Sequence, residues 1–199
     1  MSTFISMVAF ALVAAISPGP VNLVALASGA RHGVRASMAL VTGATLGFTL
    51  LLLLTGFGLH EMLVRMPWLT AAIRWAGVAF LLYMAWRLAT DSGELGGEKA
   101  GQKPSWSHGA AIQWLNPKAW LAAVAGMGTY ASTADAHAVW LFAGVYFIVC
   151  YCSIASWAVA GSFLQQHVRT AHRVRLFNRA LAAMLVLSVL YLMAGAGAR

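Results

Sequence analysis

Of 199 residues, 61% are hydrophobic and 9% charged, with a mean hydropathy of +0.76; a soluble domain carries about a quarter charged residues, so this chain belongs in a bilayer. The 13 Lys and Arg against 5 Asp and Glu give a net charge of +8, yet residues 1–30 hold no charged side chain, which excludes the continuous basic face a nucleic acid needs. Cys150 and Cys152, the 2 cysteines, cannot build a disulfide framework.

A membrane-spanning helix needs about 20 mostly apolar residues. Stretches of that length between charges predict six spans: Phe4 to Ala27, Ser37 to Leu59, Trp68 to Leu88, Gly109 to Gly128, Val139 to Leu164 and Leu176 to Gly197. Little chain remains for a soluble catalytic domain. The one long connection, Ala89 to His108, is rich in Gly, Ser and charge and reads as a linker. Domain organisation is therefore one transmembrane domain in two halves, 1–88 and 109–199, joined by a cytoplasmic linker 89–108.

The first apolar stretch resembles a signal peptide around Val13-Ala14-Ala15, but a secretory signal opens with positive charge, and here Arg31 and Arg35 follow the apolar run. It reads as a retained helix. Lys and Arg concentrate on cytoplasmic loops. Arg31, Arg35, Arg87, Lys99, Lys103, Arg169, Arg173, Arg175 and Arg179 fall on one side, against Arg65, Arg74 and Arg199 on the other. Both termini are thus expected outside.

An internal repeat appears when the halves are superposed. Ile16-Ser17-Pro18-Gly19-Pro20 aligns with Leu115-Asn116-Pro117-Lys118, and Leu82-Tyr83-Met84 with Leu190-Tyr191-Leu192. Three helices per half force the second copy through the membrane upside down, an arrangement that places binding sites near the midplane at interrupted helices. The expected fold is an all-α integral membrane protein of six transmembrane helices in two inverted three-helix repeats, with proline-broken helices 1 and 4.

Proline removes a backbone donor and clashes with the carbonyl four residues back. Pro18 and Pro20 should free the carbonyls of Ala14 and Ile16, and Pro117 that of Gln113. Such groups are tolerated at membrane depth only inside protein or beside a wet cavity, so both breaks should face inward. The half-helices beginning at Val21 and Lys118 should point their positive N-termini toward each other, receptive to a carboxylate. The freed carbonyls, with Ser17, Asn22, Gln113 and Asn116, suit an ammonium group. The expected substrate-binding set is Ser17, Pro18, Gly19, Pro20, Asn22, Gln113, Asn116, Pro117 and Lys118, and a small zwitterion satisfies both poles.

Lys118 is the one charged side chain placed well inside a predicted span, at a cost of roughly 2.5–3.5 kcal/mol, and so is expected to serve substrate or a counter-ion. Gly43 and Gly47 form a small-xxx-small packing pattern. Thr42, Thr45 and Thr49 can satisfy their hydroxyls against their own helix. Trp68, Trp106 and Trp140 suit an interfacial belt, while Trp114 and Trp120 flank the second break, either walling a cavity or facing lipid.

Together, Ser17-Pro18-Gly19-Pro20 with Asn22, Ala27-Ser28-Gly29, the His32-Gly33 turn, Gly43 and Gly47, Trp75-Ala76-Gly77, Ala85-Trp86-Arg87 and Asn116-Pro117-Lys118-Ala119 resemble the lysine exporter and homoserine/threonine resistance (LysE/RhtB) family, most of all its cysteine and O-acetylserine exporter branch. The resemblance spans essentially the whole chain. It implies efflux of amino acids or close metabolites across a bacterial inner membrane, driven by the proton gradient as an antiporter. Many members carry an acidic residue just after the first proline motif, where this sequence has Val21 and Asn22.

No predicted helix holds an Asp or Glu well within its apolar span, which leaves Lys118, the substrate itself, or a His such as His60 or His108 to carry a coupling proton, with uncoupled export as a further reading. The expected partners are an amino-acid substrate, protons and lipid, without nucleic acid; a homo-oligomer is compatible with the pattern. No cofactor is expected. A thiol relay would use Cys150 and Cys152, but their i, i+2 spacing directs them to different helix faces. Metal efflux would need a His, Cys or carboxylate cluster that the spacing does not offer. A hydrolase would need a base beside Ser17.

Overall fold

The computed structural model describes residues 2–59, 65–90, 104–131, 135–165 and 171–197. The described chain is helical: α1 (Ser2–Ile16), α2 (Pro20–Leu54), a π turn (Thr55–Leu59), α3 (Pro67–Ala89), α4 (Trp106–Trp114), α5 (Pro117–Tyr130), α6 (Ala136–Gln165) and α7 (Ala171–Gly197). His60, Glu61, Lys99, Lys103, Arg169, Arg199 and most of the expected linker lie outside the described residues.

α2 is a hairpin rather than a rod. Gly33 adopts φ 77°, ψ 172°, a left-handed conformation that glycine reaches without a Cβ penalty. The Ser28 and Ser37 hydroxyls then meet at 2.7 Å, whereas nine residues of straight helix would separate them by about 13 Å. The chain therefore reverses at Gly33, as the His32-Gly33 turn predicts. Each expected span lies on helix: the first on α1 and the arm of α2 before Gly33, the second on the arm after it, and the others on α3, on α4 with α5, on α6 and on α7.

By length and hydropathy, two described helical stretches could cross a membrane, Pro20–Gly58 and Ala136–Leu164. The first of these includes the second piece of the first broken helix and turns at Gly33, whereas α1, α4 and α5, of 15, 9 and 14 residues, are each too short to span alone. Helix α4 starts at Trp106, within the expected linker, because Ser105 caps it: the Ser105 Oγ accepts the His108 N–H at 3.2 Å.

Small residues set the helix spacing. A Cβ on Gly29 would collide with the Ala158 carbonyl and one on Gly161 with that of Leu26, so the first arm of α2 and the end of α6 run antiparallel in close contact. A Cβ on Gly43 would strike the Trp106 carbonyl, and one on Gly47 would come within 2.9 Å of Ala110 Cα. The second arm of α2 is therefore parallel to α4. Since the arms of α2 are antiparallel, the two broken helices run in opposite directions.

The interior holds Phe48, Leu51, Ile112, Phe142, Ile154 and Leu185 together with buried polar Asn22, Thr45, Gln113, Asn116, Ser153 and Asn178. Large apolar side chains such as Leu50, Trp68, Trp106, Leu121, Trp140, Ile148 and Leu187 face outward. Polar groups inside and apolar groups outside suit a lipid-facing exterior.

Candidate functional site

Both breaks lie where the sequence places them, but their prolines act differently from interior helix breakers. Helix α1 ends at Ile16 and α4 at Trp114; Pro20 and Pro117 open the next helices, one residue before the expected starts at Val21 and Lys118. At that position proline's missing N–H is no loss and its fixed φ suits the helix. Of the first break's prolines, Pro18 alone sits in the nonhelical link, and it is exposed.

The freed carbonyls are taken by the chain itself. Ser17 Oγ donates to the Ala14 carbonyl at 3.3 Å, Trp157 Nε1 to that of Ile16 at 3.0 Å, and the Asn116 N–H to that of Gln113 at 3.1 Å. Asn22 Nδ2 donates to the Ala15 carbonyl at 2.7 Å and the Ser17 carbonyl at 2.9 Å. Each of these oxygens, expected to stand open to a substrate ammonium, thus has at least one lone pair occupied within the chain. In a low-dielectric interior each would otherwise be an unpaired acceptor.

Lys118 joins the two breaks. Its Nζ donates to the Ser17 carbonyl at 2.8 Å, to Ser17 Oγ at 2.7 Å and to the Pro18 carbonyl at 3.4 Å. Ser17 Oγ spends its hydrogen on Ala14, so it accepts from Lys118, and three acceptors match the three N–H groups of an ammonium. The charge therefore serves the first break, rather than standing free for a carboxylate. At its own break Asn116 Oδ1 caps the Lys118 N–H at 3.1 Å, and Asn116 Nδ2 donates to Gln113 Oε1 at 3.4 Å.

Polar capacity remains at two points. The α2 N-terminus has Gly19 at its cap and no capping side chain, so its first N–H groups lack a side-chain acceptor. Asn22 is 1% exposed and its Oδ1 is buried without a hydrogen bond. Both border a cavity of about 30 Å³ whose walls include Gly19, Val21, Asn22, Gln113, Asn116 and Lys118. That holds a water or two, at roughly 10–15 Å³ each, and is smaller than an amino acid.

The cavity thus gathers five of the nine residues expected to bind substrate: Gly19, Asn22, Gln113, Asn116 and Lys118. Ser17 and Pro18 reach it through Lys118, while Pro20 and Pro117 shape the helix starts. Trp114 and Trp120 brace the second break from behind: Trp114 Nε1 donates to the Gly47 carbonyl at 3.0 Å, and Trp120 Nε1 to the Trp114 carbonyl at 2.7 Å. Thr49 does bond its own helix, at the Thr45 carbonyl. Thr45 does not; its hydroxyl is buried without a hydrogen-bond partner among the described residues. Sequence reasoning missed Trp157, Phe48, Tyr146, Cys150 and Ile154. The i, i+4, i+8 spacing of the last three signals one helix face, but nothing local says what that face meets.

Residues 12–195 match the LysE type translocator family. The chain belongs to that family. It is a membrane protein of a transporter family, not an enzyme. It is 30% identical over 185 residues to the cysteine/O-acetylserine efflux protein of Escherichia coli (strain K12), covering 89% of this chain and 90% of that one. It is also 31% identical over 183 residues to the protein of the same description from Salmonella paratyphi A (strain ATCC 9150 / SARB42), with 89% and 90% covered. A third such protein, from Escherichia coli O139:H28, is 29% identical over 190 residues, 92% and 91% of the two chains. No solved structure matches.

Proposed function

We propose that this translocator exports a small, net-neutral amino acid or amino-acid derivative across the inner membrane, by alternating access around the cavity where the two breaks meet. The observation that carries the reading is the Lys118–Ser17 link, which ties two breaks 101 residues apart beside an uncapped helix N-terminus and an unpartnered Asn22 Oδ1. The N–H groups at Val21 and Asn22 suit a carboxylate. Asn22 Oδ1 suits an ammonium. Gln113 and Asn116 complete the polar wall, Gly19 and Pro20 shape its first side, and Pro117 shapes the second. Because the cavity holds only water-sized contents, substrate entry requires the breaks to separate, and the Lys118 contacts to Ser17 and Pro18 are the bonds that must open.

Two inverted three-helix repeats, 1–88 and 109–199 around the 89–108 linker, are supported by the opposed directions of the broken helices. The packing supports them too: the first broken helix packs on α6, the second on α2, and α3 on α7, a pattern that maps onto itself when the halves exchange. The distribution of Lys and Arg supports termini outside. Efflux is supported by the family and by relatives described as efflux proteins. Proton-coupled antiport fits a site whose lining cation, Lys118, can exchange a proton as its contacts open.

Counterflow in liposomes with a panel of labelled amino acids tests the carrier reading. Movement of at least one is expected, and movement of none overturns it. Sidedness is tested with a cysteine at Arg173 in a chain lacking Cys150 and Cys152: impermeant label should reach it from the cytoplasm, and labelling from outside reverses the orientation.

A further inference from the structure

The polar groups account for one end of an amino acid; the remaining cavity wall has no role assigned. Its larger members are Phe48 on the second arm of α2 and Tyr146, Cys150 and Ile154 on α6, and alanines of α1 and α5 complete it. These four are 1–3% exposed, and the Phe48 and Tyr146 rings lie 4.6 Å apart, so the wall is packed. Tyr146, Cys150 and Ile154 recur every fourth residue and form one stripe along α6. Cys150 is the central and smallest member of that stripe.

We infer that this wall reads the substrate side chain, and that Cys150 sets the length it accepts, selecting short uncharged side chains. The inference rests on the export reading above. A second feature of the same cavity, the buried and unpartnered Asn22 Oδ1, independently calls for a ligand donor and fixes which end of an amino acid lies at the polar side. No carboxylate lines the cavity among the described residues, and its charged group is Lys118. A cationic side chain would meet that ammonium without a counter-charge. An anionic one would be desolvated against Phe48, Tyr146 and Ile154. With the breaks parted, extra methylenes would extend along the α6 stripe to Cys150, whose neighbours Tyr146 and Ile154 are buried.

The test uses the full chain in liposomes, with Cys152→Ser leaving Cys150 as the sole thiol; Cys152 faces outward. Counterflow is measured for glycine, alanine, serine, cysteine, leucine, phenylalanine and lysine. Cys150→Ala should raise leucine relative to alanine by about tenfold, the effect of one or two methylenes in an apolar pocket. Cys150→Phe should keep glycine and lose alanine and serine. An unchanged substrate order in both variants, beside an active parent chain, overturns the inference and leaves the export reading standing. A parent chain that moves nothing, glycine included, overturns the export reading and this assignment with it. Should either variant fail to insert, the parent thiol decides: in a chain that is turning over, and so opening its cavity, a small methanethiosulfonate should modify Cys150, and a transported amino acid should slow that reaction at least fivefold, by the occupancy expected at several times its dissociation constant; no modification in an active chain overturns the inference. Equal rates with and without the amino acid overturn the inference.

Discussion

Lys118 Nζ sits 2.7 Å from Ser17 Oγ and 2.8 Å from the Ser17 carbonyl oxygen, so a lysine at the start of one half-helix closes the gap left by another helix that runs the opposite way. The lysine stem lies close against Gly19, where a Cβ would stand 3.2 Å from Lys118 Cδ, and its ammonium makes charge-assisted hydrogen bonds to the oxygens beyond. The link makes the two breaks one unit. Whatever separates them must first find other partners for three N–H groups and for the oxygens of Ser17 and Pro18.

Lys118→Met removes those donors while keeping the length of the side chain. The Ser17 carbonyl retains Asn22 and the exposed Pro18 carbonyl can turn to water, but the charged donor shared by Ser17 and Pro18 is lost, so thermal stability in detergent should fall by about 1–3 kcal/mol. Counterflow should drop about tenfold or more, equivalent to ~1.4 kcal/mol of barrier. Lys118→Arg separates the two effects. Its guanidinium supplies donors but does not give up a proton, so stability should recover and pH-driven transport should not. Wild-type transport in Lys118→Met would remove the residue from the mechanism.

Asn22→Ala deletes both a donor that holds the Ala15 and Ser17 carbonyls and the unpartnered Oδ1 in the cavity. Counterflow affinity should weaken for every substrate alike, because the lost acceptor addresses the ammonium all amino acids share. Asn22→Asp tests the sign. It places a carboxylate beside Lys118 in a cavity that otherwise lacks one among the described residues, and competition by lysine should rise relative to alanine. A chain in which lysine competes no better after this change would show that Asn22 does not face the substrate.

The helices and both breaks were legible in the sequence because their causes are local: runs of about 20 residues poor in charge, and prolines that no helix interior tolerates well. The Gly33 reversal was legible for the same reason. That Pro20 and Pro117 would open helices follows from proline's preference for the first helical turn, a rule outweighed in the reading by the apparent length of each span. Lys118 could be flagged as unusual but not assigned its partner, since Ser17 lies 101 residues away and no local pattern encodes that meeting. Trp157, whose indole reaches the Ile16 carbonyl from α6, and the Phe48, Tyr146, Cys150 and Ile154 wall are products of packing between distant segments. Their residue types are those of any apolar helix.

Glycines at the helix crossings give a prediction independent of transport. Gly29→Ala and Gly43→Ala would each drive a methyl into a facing backbone carbonyl, of Ala158 or Trp106, and backbone cannot move aside as a flexible side chain can. Each should lower stability by about 1–3 kcal/mol. Gly144→Ala, on α6 with nothing within 4 Å of the added carbon, should instead be neutral or gain up to ~1 kcal/mol from helix propensity. Thermal unfolding of the three variants in one detergent checks the ranking, and equal behaviour would mean that these crossings are looser than described.

Trp157→Phe isolates the cap on the first break. The ring is largely kept, but the Nε1 donor to the Ile16 carbonyl is lost, leaving that oxygen without its indole partner at the end of α1. The cost should be about 1 kcal/mol in thermal stability. The change touches neither Lys118 nor Asn22, so substrate order in counterflow should stay as in the parent chain while the rate falls only modestly. Trp157→His, which can place a ring N–H toward α1, should recover part of the stability. A change in substrate order with Trp157→Phe would mean instead that the end of α1 moves with the cavity, and that the cap belongs to the substrate-reading surface rather than to the support behind it.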